Sequence, residues 1–231
     1  MVRTKLIALA VAALCATPAL ADEELLYLTS EPGEARLLEA DLNRDYFSLA
    51  TYVESEQILT FCGPATVAAV ANALGIPRPS PDRLYPWTLF TQDTLFNEAN
   101  QKLKPYAMVE HEGLTLAELD TFIENAGLAA EHHFADETSV DELRKAIKET
   151  LEDRDARFVA NYSRKALPQK GDGHISPVGA YDEETDSVLI LDVAKYKYPP
   201  VWISVEKLHE AMMLVDEGSN RSRGFVKVSV Q

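Results

Sequence analysis

Three side chains of this 231-residue chain belong to types that together activate a nucleophile: Cys62, His174 and Asp192. A thiol attacks an acyl carbon, an imidazole takes and returns its proton, and a carboxylate holds the imidazole in one tautomer. Cys62 stands in Phe61-Cys62-Gly63-Pro64-Ala65-Thr66, and the apolar positions Val67, Val70, Ala71 and Leu74 follow at helical spacing up to Gly75. The pattern predicts a buried helix with the cysteine in its first turn. The positive end of a helix dipole favours an anion, so the expectation is a lowered thiol pKa. The competing reading of Cys62 alone is a small buried hydrophobe. Gln57, just upstream, carries an amide able to turn back toward the thiol.

His174 follows the glycine turn Gly171-Asp172-Gly173 at the start of one predicted strand, and Asp192 closes the next strand after a turn at 183–186. Residues near matching ends of a hairpin become neighbours, which lets the carboxylate accept from the imidazole. The chain order of nucleophile, base and orienting group is that of papain-like enzymes, in which a helix presents the thiol against a sheet. On these grounds alone, a satisfied core histidine beside a capping aspartate remains the alternative.

The elements that must position these groups are read from periodicity. Strands are expected at 128–134, 158–162, 174–181, 187–193 and 224–230. Helices are expected at 94–103, stopped by Pro105, from the capping box at Thr115 and Glu118 to Gly127, from Ser139 to Leu151, and from Ser204 to Met213. Helices first and sheet later is the order of an α+β domain. Residues 22–51 show no sustained period and read as an extended lead-in. Pro77, Pro79, Pro81 and Pro86, with Trp87, Phe90 and Phe96 near them, predict a rigid aromatic loop suited to wall a cleft. His132 and His133 are adjacent, and neighbours on a strand point to opposite faces, so the expectation is no metal site and no cofactor.

Residues 1–21 read as a cleavable signal peptide: Arg3 and Lys5, an apolar core too short to span a bilayer, and Ala19-Leu20-Ala21 before Asp22. That places the mature chain in the periplasm or outside the cell, unattached to membrane, and makes 22–231 a single domain. Cys15 leaves with the leader, so Cys62 is the one mature thiol, and an exported domain that keeps a lone thiol has a chemical use for it. Against 37 Asp and Glu stand 22 Lys and Arg, a net charge of −15, which argues against nucleic acid or an anionic membrane as partner.

Four segments also resemble the phytochelatin synthase family, specifically its short prokaryotic members, over residues 52–230. They are Phe61-Cys62-Gly63-Pro64-Ala65, Gly173-His174-Ile175-Ser176-Pro177, the run at 191–202 containing Asp192-Val193-Ala194 and Tyr196-Lys197-Tyr198-Pro199-Pro200, and Arg223-Gly224-Phe225. The resemblance implies a papain-like fold, with an N-terminal helical part whose nucleophile helix packs on a C-terminal antiparallel sheet. It implies acyl transfer on glutathione, in which Cys62 attacks the Cys–Gly amide, glycine leaves, and γ-glutamylcysteine is held as a thioester. His174 and Asp192 would complete the triad. Hydrolysis would give γ-glutamylcysteine, and capture by a second glutathione would give a phytochelatin. Asp216 and Arg223 match family positions that hold the γ-glutamyl group. The family's oxyanion glutamine falls where this chain has Glu56; a carboxylate cannot donate, so the role is assigned to Gln57 through a slip of one residue. The sequence ends at Gln231 without the cysteine-rich extension of plant members, so metal is expected to act only through the substrate. The partners implied are glutathione or related γ-glutamyl thiol peptides, free or as metal thiolates, and a homodimer is left open. The second reading is a non-catalytic binder of thiol peptides or metal–glutathione complexes using the same cleft.

Overall fold

The computed structural model describes residues 25–231, and the predicted leader lies outside them. The strands are β1 (Leu26–Tyr27), β2 (Leu128–Phe134), β3 (Ala156–Ser163), β4 (Gly173–Asp182), β5 (Ser187–Ile190), β6 (Val201–Ser204), β7 (Val215–Asp216), β8 (Arg221–Ser222) and β9 (Gly224–Val230). Seven of them form one sheet in the order β1-β6-β5-β4-β3-β9-β2, with β7 and β8 as a separate ribbon. Every neighbouring pair is antiparallel. The strands alternate between two apolar clusters: Val159, Ile175 and Val226 face one, while Phe158, Ala160 and Phe225 face the other. Central β3 is therefore buried along its whole length.

The helices are α1 (Glu31–Glu39), α2 (Arg44–Tyr52), α3 (Cys62–Leu74), α4 (Glu98–Leu103), α5 (Tyr106–Glu112), α6 (Leu116–Glu124), α7 (Val140–Glu152) and α8 (Val205–Met213). Buried residues of α3 and α6 join the first cluster, and those of α7 and α8 join the second, so the sheet lies between helical layers. Helix α3 is buried continuously from Cys62 to Asn72, as a helix apolar on all sides must be, and Gly75 ends it in the left-handed conformation at φ 67°. Its first turn begins at Phe61, which offers no side-chain cap. The layout is α+β, with the thiol-bearing helix α3 packed against an antiparallel sheet.

Two expectations are corrected, and one strand is found where none was expected. The lead-in is helical, because Ser30 caps α1 by accepting from the Gly33 N–H at 3.2 Å. Within α1 only Gly33 and Leu37 are buried, and within α2 only Asp45 and Leu49, too few for a period to show. Helix α4 starts later than read, at the Asn97 cap, and Pro105 does not merely stop it but opens α5. Strand β6 was hidden behind Pro199 and Pro200, and it pairs Val201 with Ile190 and Trp202 with Leu189. The capping box of α6 closes as the sequence indicates, and Ser139, the expected start of α7, forms a second box with Glu142.

At Gly224 a Cβ would lie 1.9 Å from the His133 carbonyl oxygen, so β9 approaches β2 too closely there for any side chain. Gly224→Ala is expected to lower stability by about 1–3 kcal/mol, as other forced overpacking does, read from the midpoint of urea unfolding.

Candidate active site

Cys62 is the first residue of α3, His174 the second residue of β4, and Asp192 lies just past the end of β5 rather than within it. The β4–β5 register shifts between Val178 and Ala180, and pairing then continues beyond β5 through the Leu191 N–H to the Pro177 carbonyl at 2.9 Å. The Val193 N–H donates to Ser176 Oγ at 3.2 Å. This extension lays Asp192 beside His174. His174 Nε2 lies 2.9 Å from Asp192 Oδ1 and 2.9 Å from Ser176 Oγ. A carboxylate only accepts, so Nε2 carries the hydrogen and Nδ1 is left to exchange a proton with the thiol.

Asp192 has no exposure to solvent. Besides the imidazole, its oxygens accept from the Ala194 N–H at 2.8 Å and from Arg164 Nη2 at 2.9 and 2.7 Å. Burial pushes its carboxyl up, but the His174 hydrogen bond and the charges of His174 and Arg164 outweigh it and hold the pKa below the ordinary value. Arg164 is itself buried, donates to Gln169 and lies 5.2 Å over the Tyr198 ring. Nothing in its sequence neighbourhood distinguishes it from a surface arginine.

The expected lowering of the thiol pKa is not what the structure gives. Cys62 is 8% exposed, and burial, with the nearby Glu56 carboxyl, pushes the thiol up to about 12, against the Ile175 and Gly63 backbone N–H groups that favour the thiolate. Burial also holds His174 below its ordinary value, against the pull of Asp192. Thiol and imidazole are both neutral at rest, because desolvation exceeds what one helix end supplies.

The oxyanion assignment to Gln57 is also corrected. Gln57 is exposed and its backbone N–H donates to Gln92 Oε1 at 2.9 Å. Glu56 is 5% exposed and turns inward, pinned by its N–H to the Val193 carbonyl at 2.9 Å. One ligand atom each of Glu56, Cys62 and His174 lies within 4.8 Å of the other two.

From Cys62 and His174 a cleft of about 380 Å³ runs past Lys104, Asn161, Asp172, Asp216 and Arg223. Arg223, 7% exposed, donates from Nη1 to Asn161 Oδ1 at 3.2 Å. The carboxylates of Asp172 and Asp216 stand at 3.8 and 3.7 Å, outside hydrogen-bond range, and Arg223 Nε is buried without a partner. The guanidinium therefore has donors to offer a ligand. It rests on Gly173, where a Cβ would lie 2.3 Å from Nη1. Asp172, Asn161 and Lys104 escaped the sequence reading because only folding brings them to the cleft. Trp87 does not line it: it is 76% exposed in the proline-rich loop, where Asn72 grips Phe90 by two hydrogen bonds of 2.8 and 3.0 Å. His132 pairs with Asp120 at 2.6 Å, while His133 stacks on Phe225 at 4.8 Å. Apart from Glu56, Cys62 and His174, no three His, Cys, Asp or Glu side chains among the described residues converge closely enough to share a metal ion.

The sequence matches the family model described as phytochelatin synthase over residues 16–225. The chain belongs to the phytochelatin synthase family. Relatives in that family include glutathione gamma-glutamylcysteinyltransferase 1 of Lotus japonicus, 34% identical over 87% of this chain and 39% of its own length. Glutathione gamma-glutamylcysteinyltransferase 2 of Arabidopsis thaliana is 31% identical over 80% of this chain and 39% of its own. The glutathione gamma-glutamylcysteinyltransferase of Schizosaccharomyces pombe is 31% identical over 83% and 45%. The chain thus spans less than half the length of these phytochelatin synthase relatives. Among solved structures, the Pseudomonas avirulence protein AvrPphB aligns over 78% of this chain and 97% of its own, with 10% identity and a TM-score of 0.31.

Arg164→Ala strands a buried charge on Asp192 and is expected to cost about 3–5 kcal/mol in unfolding free energy, measured by urea denaturation. For the thiol, iodoacetamide labelling of the free protein should climb steadily with pH, with no thiolate absorbance at neutrality. A labelling plateau in the acid range would contradict a thiol held neutral by burial.

Proposed function

We propose that this protein is a cysteine-dependent acyltransferase that cleaves the Cys–Gly amide of glutathione. The observation that carries the reading is one cleft with Cys62 and His174 at one end, Asp192 buried behind the imidazole, and the loosely paired Arg223 beside Asp216 farther along it. The γ-glutamyl end of glutathione carries an α-carboxylate and an α-amino group, which need one cationic and one anionic partner. Arg223 and Asp216 supply them. The names of the relatives support the same substrate.

Cys62 Sγ attacks the Cys–Gly carbonyl carbon while its proton passes to His174 Nδ1. A carbon–sulfur bond forms, and the carbonyl π pair moves onto oxygen. The carbon–nitrogen bond then breaks as His174 returns the proton to the leaving glycine nitrogen. Asp192 keeps Nε2 protonated and stabilises the imidazolium between these transfers. Water then releases γ-glutamylcysteine from the thioester as the main outcome, and the amine of a second glutathione extends the chain as the lesser one. A non-catalytic binder would have use for Arg223 and Asp216 but none for the buried Arg164–Asp192–His174 network.

Incubation with glutathione, with and without cadmium, followed by mass separation of products, is expected to give glycine and γ-glutamylcysteine. Cys62→Ala should release no glycine, and turnover in that variant would end the reading. Arg223→Ala should lose about 2–4 kcal/mol in kcat/KM for glutathione, as when the partner of a desolvated charge is removed. It should also lose its preference for glutathione over an analogue lacking the α-carboxylate. Wild type cleaving that analogue equally well would move the γ-glutamyl pocket elsewhere.

A further inference from the structure

Glu56 sits where acyl transfer puts negative charge. Its carboxyl lies within 4.8 Å of a ligand atom of both Cys62 and His174. Oε1 accepts the Tyr196 hydroxyl hydrogen, while Oε2 is buried with no hydrogen-bond partner. The first turn of α3 has no side-chain cap, and its Gly63 N–H serves the Cys62 sulfur. An ionised carboxylate there would repel both the thiolate and the oxyanion in a low dielectric. A neutral carboxyl instead has a hydrogen to give.

We propose that Glu56 is the oxyanion donor of this site: as a carboxylic acid it donates its Oε2 hydrogen to the substrate carbonyl oxygen while Cys62 attacks. The proton stays on Glu56 throughout, and the hydrogen bond strengthens as the oxygen gains charge. The inference deepens the glutathione reading and rests on it for the substrate. Around Glu56, the Tyr196 hydrogen bond and the charges of Lys197 and Arg164 favour the carboxylate, while burial and Asp192 favour the acid; Cys62 and His174 complete the surroundings. Burial dominates and holds Glu56 above the ordinary carboxyl value. On this proposal activity is lost as pH rises through the ionisation of Glu56 and as it falls through the protonation of His174.

The test compares wild type, Glu56→Gln and Glu56→Ala across the acid-to-alkaline range. One readout is glycine release from glutathione and the other is acylation of Cys62 by p-nitrophenyl acetate. Wild type is expected to fall about 100-fold as Glu56 ionises, whereas Glu56→Gln, whose amide donates at every pH, holds its rate through that range. Glu56→Ala should be slower by about 10²–10³ on the acid side and show no such limb. Infrared difference spectra of wild type against Glu56→Gln should show a neutral carboxyl band that disappears along the same limb. An alkaline fall retained in Glu56→Gln, or a Glu56→Gln variant as slow as Glu56→Ala, overturns the proposal; the latter marks Glu56 as a base acting in its ionised form. If no variant releases glycine but ester acylation follows the expected pattern, the substrate fails and the oxyanion role stands. Ester acylation indifferent to both substitutions overturns the role whatever the substrate.

Discussion

A carboxylate without access to water must find protein partners for its lone pairs, and Asp192 is such a carboxylate. Its donors come from separate parts of the chain: Arg164 just after β3, His174 on β4, and the backbone of its own turn at Ala194. Satisfying that one charge fixes where the ends of three neighbouring strands meet. The orientation of the imidazole is a product of the same requirement, since the hydrogen bond that neutralises Asp192 also decides which ring nitrogen faces Cys62.

Burial pushes the Cys62 thiol up and holds the His174 imidazole down, so in the proposed reaction charge separates as Sγ attacks. The permanent charges lie farther along the cleft and are held with unequal grip. Lys104 is clasped by Glu112 and Glu118 at 3.2 and 3.1 Å, whereas Arg223 has its two carboxylate neighbours at 3.8 and 3.7 Å. A carboxylate arriving with a ligand can better those distances at Arg223 but must displace existing bonds at Lys104.

What was legible in the sequence was local. Cys62 is announced by the helix it begins, and His174 and Asp192 by a hairpin whose turn residues are plain. The capping box at Thr115 and the helix start at Ser139 are signals of a few residues and read correctly. The hidden features depend on distance along the chain. Arg164 becomes central only because β3 and β5, on either side of β4, end within reach of each other, and Glu56 rather than Gln57 turns inward because its N–H bonds to Val193, far along the sequence. The lowered thiol pKa was a local argument from a helix end, reversed by a property of the whole fold, burial between helix and sheet.

Phe61 shows how stability and reactivity divide at α3. Ser30, Thr115, Ser139 and Ser204 cap their helices through side-chain oxygens, but the nucleophile helix starts from a phenyl ring packed against Phe96 and Tyr106 at 5.6 and 5.1 Å. A serine or aspartate cap is ordinarily worth about 1 kcal/mol. Pro64 stands where those other caps find their N–H, so an oxygen at position 61 would have the Gly63 N–H to take, which favours the Cys62 thiolate. Position 61 is therefore one where a gain in thermal resistance would work against the thiolate, since a cap and the sulfur would compete for one N–H.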